Sequence, residues 1–77
     1  MKAAVEQIVR ALVDDPAQVD VREVERGAGT VLIEVRVAES DKGKIIGRQG
    51  ATARAIRTIL NGAGAKQNRR YLLDIVE

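Results

Sequence analysis

Gly43-Lys44-Ile45-Ile46-Gly47-Arg48-Gln49-Gly50 is the stretch whose residue types and spacing suit chemistry with an anion. Glycine at Gly47 and Gly50 removes the Cβ atoms that would hold a partner's backbone away, and it tolerates positive φ. The stretch opens onto a helix expected from Ala51, whose unpaired N–H groups and dipole favour negative charge. Lys44, Arg48 and Arg54 supply long, mobile cations around it. A phosphate suits that combination, since a cation on a loop tip is what a grip on a phosphodiester backbone requires.

The charge distribution points the same way. Net charge is only +2, but Lys42 to Arg70 holds eight basic residues and no acidic one. The rest of the chain holds five basic and eleven acidic residues, a net −6. Such asymmetry is the electrostatic footprint of an anion-binding face.

Catalysis is a poor match. The 77 residues include no cysteine and no histidine, and Ser40 is the only serine. Disulfide frameworks, the usual zinc spacings and the common iron–sulfur and haem ligands are therefore excluded, so no metal and no cofactor is expected. Nucleophile and base pairs are missing too. Gly43 and Gly47 have the wrong spacing for a Walker A loop, and a helical turn precedes the glycines where a dinucleotide fold needs a strand. The longest strongly apolar run, Val31-Leu32-Ile33, is far too short to span a membrane. Glu6 and Arg10 interrupt any signal-like apolar core at the N-terminus. The expectation is a cytoplasmic protein without a membrane partner, folded as one small domain over 1–77.

The elements that must hold the glycine loop read as follows. Lys2 to Val13 is an amphipathic helix with Val5, Ile8, Val9 and Leu12 on one face, stopped by Asp14-Asp15-Pro16. Val19 to Arg26 is a strand with Val24 off parity, which suggests a bulge or two partly covered faces. Gly27-Ala28-Gly29 closes a hairpin onto Thr30 to Ala38, where Val31, Ile33, Val35 and Val37 share a side. Ser40 or Asp41 caps a helical turn running to about Ile46. Ala51 to roughly Ala63 is the main helix, with Ala53, Ile56 and Leu60 inward; Asn61-Gly62-Ala63-Gly64 weakens its end. Lys66 to Arg69 is a polar loop, and Arg70 to Val76 a last strand with Tyr71, Leu73 and Ile75 alternating. The order α-β-β-α-α-β predicts an α+β domain, a three-stranded sheet with helices on one face. The last strand can return parallel through a right-handed crossover.

On these residues the chain resembles KH domains. Ile46-Gly47-Arg48-Gln49-Gly50 between a short and a long helix looks like the GxxG loop, and the element order matches the type II, prokaryotic arrangement. Asp41 to Gly50 and Ala55-Ile56-Arg57-Thr58-Ile59-Leu60 are similar to the small stand-alone KH proteins of bacteria. The resemblance implies a clamp on about four nucleotides of single-stranded RNA, with bases in an adjacent apolar groove. Carried over by position, Gly47 and Gly50 shape the loop, Arg48 and Gln49 face the phosphates, and Ile46 supports the groove. The resemblance also implies a post-transcriptional regulator or RNA chaperone that pairs with itself or with a larger, Jag-type KH partner. Two departures stand out: Ala53 replaces the aliphatic residue usual three positions after the second glycine, and the Asn61 to Gly64 run interrupts an expected unbroken helix.

Further site assignments come from placement. Lys44 is a candidate RNA contact beside the loop; Lys42 is a steering charge. Arg54, one turn into the long helix, is a better phosphate contact than Arg57. Arg69 and Arg70 fall outside the core site. Ile45, Ile46, Val35 and Val37 either line a base groove or belong to the core. Ala55 and Ile59 form an apolar strip off the core axis, suited to a symmetric helix-to-helix contact. With Tyr71 the only aromatic residue, stacking platforms are excluded, whereas a KH groove survives the lack. The alternative reading is a protein-interaction module with only weak RNA contact.

Overall fold

A computed structural model describes residues 1–76. Helix α1 (Lys2–Leu12) buries Val5 and Val9 and half-buries Ile8. Leu12, expected on that face, is 40 % exposed. The helix ends at it, and Val13, turned extended at φ −91° and ψ 158°, packs against the core instead. Asp14 and Asp15 break the helix as expected, and Pro16 opens a single 3-10 turn, Pro16–Gln18.

Strand β1 (Asp20–Gly27) pairs antiparallel with β2 (Thr30–Arg36). The register slips between Glu25 and Gly27, so the irregularity lies past Val24 rather than at it. Val24 points to the sheet's other face, opposite Leu32, which in turn stands opposite Leu72. Three apolar side chains thus cross that face in one row. The hairpin turns through Gly27, Ala28 and Gly29 at φ of 85°, 51° and 77°, the positive values a tight two-residue turn needs. On the core side, Val31, Ile33, Val35 and Val37 are all buried, as their alternation requires.

After a 3-10 turn at Glu39–Asp41 come the short helix α2 (Lys42–Ile46) and the long helix α3 (Ala51–Gln67). Strand β3 (Arg70–Ile75) then lies parallel to β2, from Thr30 opposite Arg70 to Val35 opposite Ile75. The sheet is mixed, in the order β1-β2-β3. The helices share one face of it: Val5 and Val9 of α1, Ile45 of α2 and Ile56 and Leu60 of α3 meet Val21, Ile33, Val35, Tyr71 and Leu73 in a common core. Ala53 is buried with them.

Helix α3 runs four residues beyond the expected end, through Gly62 and Gly64 and into what the sequence suggested was a loop. It stops at Asn68, left-handed at φ 57° and ψ 39°. The Arg69 N–H donates to the Gly64 carbonyl at 2.8 Å and the Asn68 N–H to the Ala65 carbonyl at 3.4 Å. That pair of bonds is a Schellman motif, which satisfies carbonyls left open at a helix end. Gly64 is buried where the chain reverses over it. Its place in the helix therefore comes from close packing, which outweighs its poor intrinsic propensity.

Candidate nucleic-acid interface

The glycine loop is closed by its own hydrogen bonds. Gly47 ends α2, its N–H donating to the Gly43 carbonyl at 2.8 Å. Its φ of 75° and ψ of 174° lie in a region only glycine occupies without strain. A Cβ there would collide with the Thr52 hydroxyl and stand 2.7 Å from the Thr52 Cβ. The next turn, Arg48–Gly50, closes by a 3.1 Å bond from the Gly50 N–H to the Gly47 carbonyl. Gln49 and Gly50 are both left-handed, at φ 56° and φ 76°. Arg54 reaches back from the first turn of α3, its Nη1 donating to the Gln49 carbonyl at 2.6 Å. It fixes the strained residue from behind.

What remains free is the tip. Arg48 and Gln49 are exposed, and neither side chain has a hydrogen-bond or ion-pair partner among the described residues. Helix α3 has Gly50 at its N-cap with no side-chain bond, and the Ala51 N–H donates to the Arg48 carbonyl, so the positive dipole end and the remaining first-turn N–H groups lie beside the loop. Ile46 is 43 % exposed at the loop's root. Ile45, Val35 and Val37, for which a groove or a core was open, are core: Ile45 and Val35 are fully buried and Val37 nearly so. Of those four, Ile46 alone turns outward.

Two assigned cations are already engaged. Lys42 pairs with Glu39 at 2.9 Å. Lys44 directs its Nζ to Asp14 Oδ2 at 2.6 Å and to Asp41 Oδ1 at 3.4 Å. Arg57 is exposed and makes no ion pair among the described residues. On α3's outer surface Ala55 is exposed and Ile59 is 53 % exposed, the most exposed large apolar side chain described.

Asp41 stands at the N-cap position of α2, as the sequence suggests, but its side chain has another task. Neither it nor Ser40 caps α2 by a side-chain bond. The Asp41 carboxylate is instead fully buried and accepts the backbone N–H groups of Asp14 and Asp15, each at 3.1 Å. The Asp14 amide holds the Asp41 carboxyl below its ordinary range; burial opposes that, and Asp15 and Lys44 reinforce it. Lys44 is correspondingly raised, by Asp14 first and Asp41 second. The clasp ties the end of α1 to the start of α2, 27 residues later in the chain. A local pattern shows only an acid before a helix, which reads as a cap; the distant amides are invisible to it.

Among the described residues no group of three or more His, Cys, Asp and Glu could hold a metal ion. No described helix is long and apolar enough to cross a membrane.

A short helix, a two-glycine loop and a long helix, laid on a sheet whose third strand returns parallel, define a type II KH domain. The family described as "KhpA/KhpB, KH domain" matches residues 2–75, and the chain belongs to it. It is 43 % identical over 76 residues to the RNA-binding protein KhpA of Clostridium acetobutylicum, covering 99 % of this chain and 100 % of that one. It is 48 % identical over 73 residues to the RNA-binding protein KhpA of Borreliella burgdorferi, covering 95 % and 88 %. Against the RNA-binding protein KhpA of Aquifex aeolicus the identity is 47 % over 77 residues, covering 100 % and 96 %.

Proposed function

We propose that this chain, as one KH unit over 1–77, binds short single-stranded RNA and acts as a post-transcriptional regulator or RNA chaperone. The loop Gly47 to Gly50 grips the phosphodiester backbone. Arg48 and Gln49 meet the phosphates, Ile46 supports the bases, and Lys44 and Arg54 complete the site. One observation supports this reading: the side chains of Arg48 and Gln49 stand unpartnered among the described residues, at the tip of a loop whose backbone Arg54 holds at the Gln49 carbonyl. A bonded backbone with free polar tips is suited to a preorganised clamp. The relatives' own description as RNA-binding proteins supports it.

The test is fluorescence anisotropy of a labelled mixed-sequence single-stranded RNA across a salt series. Wild type should bind with a slope of about −0.7 per phosphate contact. Arg48→Asp combined with Gln49→Asp should remove binding while the circular dichroism spectrum is kept. Equal binding by both proteins would reject the clamp.

A second reading, a pairing module, rests on the exposure of Ile59 beside Ala55. A homodimer, or a heterodimer with a larger KH-bearing protein, would join two weak grooves and raise avidity. Ile59→Glu should shift sedimentation toward the monomer and leave the loop unchanged. An unaltered sedimentation coefficient would place any interface elsewhere.

A further inference from the structure

We propose that Asp14 sets the RNA affinity of the glycine loop by competing with phosphate for the ammonium of Lys44. The inference rests on the RNA-binding reading above. Lys44 and Gly47 are three residues apart across the last turn of α2, and residues at that spacing share a strip of helix surface. Lys44 therefore lies one helical turn before the loop, its ammonium on a flexible four-carbon stem. That ammonium is paired with Asp14 Oδ2 at 2.6 Å.

The two acids that hold Lys44 are not equivalent. The buried Asp41 carboxylate is satisfied by two backbone amides, and its bond to Lys44 is the long one at 3.4 Å. The Asp14 carboxylate is 81 % exposed, and Lys44 is its only side-chain partner among the described residues. Release of Lys44 leaves the buried Asp41 carboxylate its two amides but removes its one cationic partner, at the long distance of 3.4 Å. The exposed Asp14 carboxylate is taken up by water, so breaking the Asp14 pair costs little. A phosphate arriving at the loop can draw the ammonium across. Asp14 acts as an internal counterion that the RNA must displace, and its presence lowers affinity for any polyanion.

Asp15 supplies the control. It carries the same charge one residue away, is exposed, and its side chain has no partner among the described residues. The experiment is the same anisotropy titration with four proteins: wild type, Asp14→Asn, Asp15→Asn, and Asp14→Asn in a Lys44→Met background. Asp14→Asn should tighten binding by up to about fivefold, the upper end for one exposed ion pair, with the salt slope nearly unchanged because Lys44 meets the phosphate in both proteins. Asp15→Asn should change affinity by less than about twofold. With Lys44→Met present, Asp14→Asn should have no effect.

Equal gains from Asp14→Asn and Asp15→Asn would reduce the effect to bulk charge and overturn the proposal. A gain that survives Lys44→Met, or no gain at all, would overturn it too. These outcomes are separate from failure of the clamp itself, in which wild type does not bind or the Arg48→Asp, Gln49→Asp protein binds equally well.

Discussion

Gly64 lies so close beneath the chain reversal that a Cβ on it would collide with the carbonyl oxygen of Arg69 and stand 3.3 Å from the Tyr71 ring. Two residues earlier, Gly62 is exposed, and a Cβ there would meet nothing within 4 Å. One helix therefore holds two glycines of opposite kinds. Gly62→Ala should stabilise the protein by about 0.5–1 kcal/mol, the ordinary gain of alanine over glycine in a helix. Gly64→Ala should destabilise it by roughly 1–3 kcal/mol, because backbone must move to make room. Urea denaturation of both variants checks the pair, and equal effects would contradict the packing.

The loop glycines divide in a similar way. Gly47 has the glycine-only dihedrals and the Thr52 contact. Gly50 is simply left-handed, and its nearest obstacle is the flexible end of Arg54 at 3.3 Å. Gly50→Asn should keep the fold and most RNA affinity, since asparagine tolerates that conformation. Gly47→Ala should cost roughly 1–3 kcal/mol and abolish RNA binding. Thermal melts read beside the anisotropy titration separate loss of the fold from loss of the loop.

The Arg54 guanidinium is committed to the Gln49 carbonyl at 2.6 Å. Its contribution to RNA binding is then mainly to the shape of the loop. Arg54→Ala should weaken binding about fivefold, one hydrogen bond's worth of order, with the salt slope nearly unchanged. A slope reduced by about 0.7 would instead mark a direct phosphate contact.

Asp41 gives the fold a pH dependence of definite sign. Its carboxyl lies below the ordinary 3.8, so the charged clasp contributes stability above that value and loses it as pH falls through the lowered one. Asp41→Asn should therefore melt below wild type near neutral pH, and the gap should close in strong acid. Lys44, raised above 10.5, works in the opposite sense: its contribution is present below that value and fades as pH rises through the raised one. Melting temperatures of wild type and Asp41→Asn over an acid series test the sign directly.

In the hairpin, Ala28 holds φ 51°, a conformation costly for a residue with a Cβ. Ala28→Asn creates the Asn-Gly pair that such turns favour and should stabilise the protein by up to about 1 kcal/mol, a part of the left-handed penalty that Ala28 carries. Chemical denaturation measures it, and a loss would show the turn to be held by something other than its own dihedrals.

Much of this architecture is legible in the chain. The alternation of Val31, Ile33, Val35 and Val37 identifies the central strand and its buried side. The glycine spacing at 47 and 50 places the loop between two helices. What stays hidden depends on contacts distant in sequence. Gly62 and Gly64 look alike to any propensity scale, yet one is open and the other is packed against Arg69. Asp41 reads as a helix cap because its true partners, the amides of Asp14 and Asp15, belong to another element. Lys44 reads as a free cation for the same reason. The side chains of Arg48 and Gln49 are exposed and make no bond among the described residues, while their carbonyls are held by the Ala51 N–H and by Arg54.

The parallel return of β3 orders events during synthesis. The hairpin, the glycine loop and all of α3 leave the ribosome before residue 70, but β2 gains its second neighbour only from residues 70–76, ending with the Val76 N–H on the Val35 carbonyl at 2.9 Å. Tyr71 and Leu73, part of the floor on which α3 rests, arrive in that same segment. A nascent chain short of it has an open strand edge and an unsupported amphipathic helix, a state exposed to misassociation. The core beneath α3 is thus completed only by the arrival of β3, although the loop's own bonds all lie within residues 43–54.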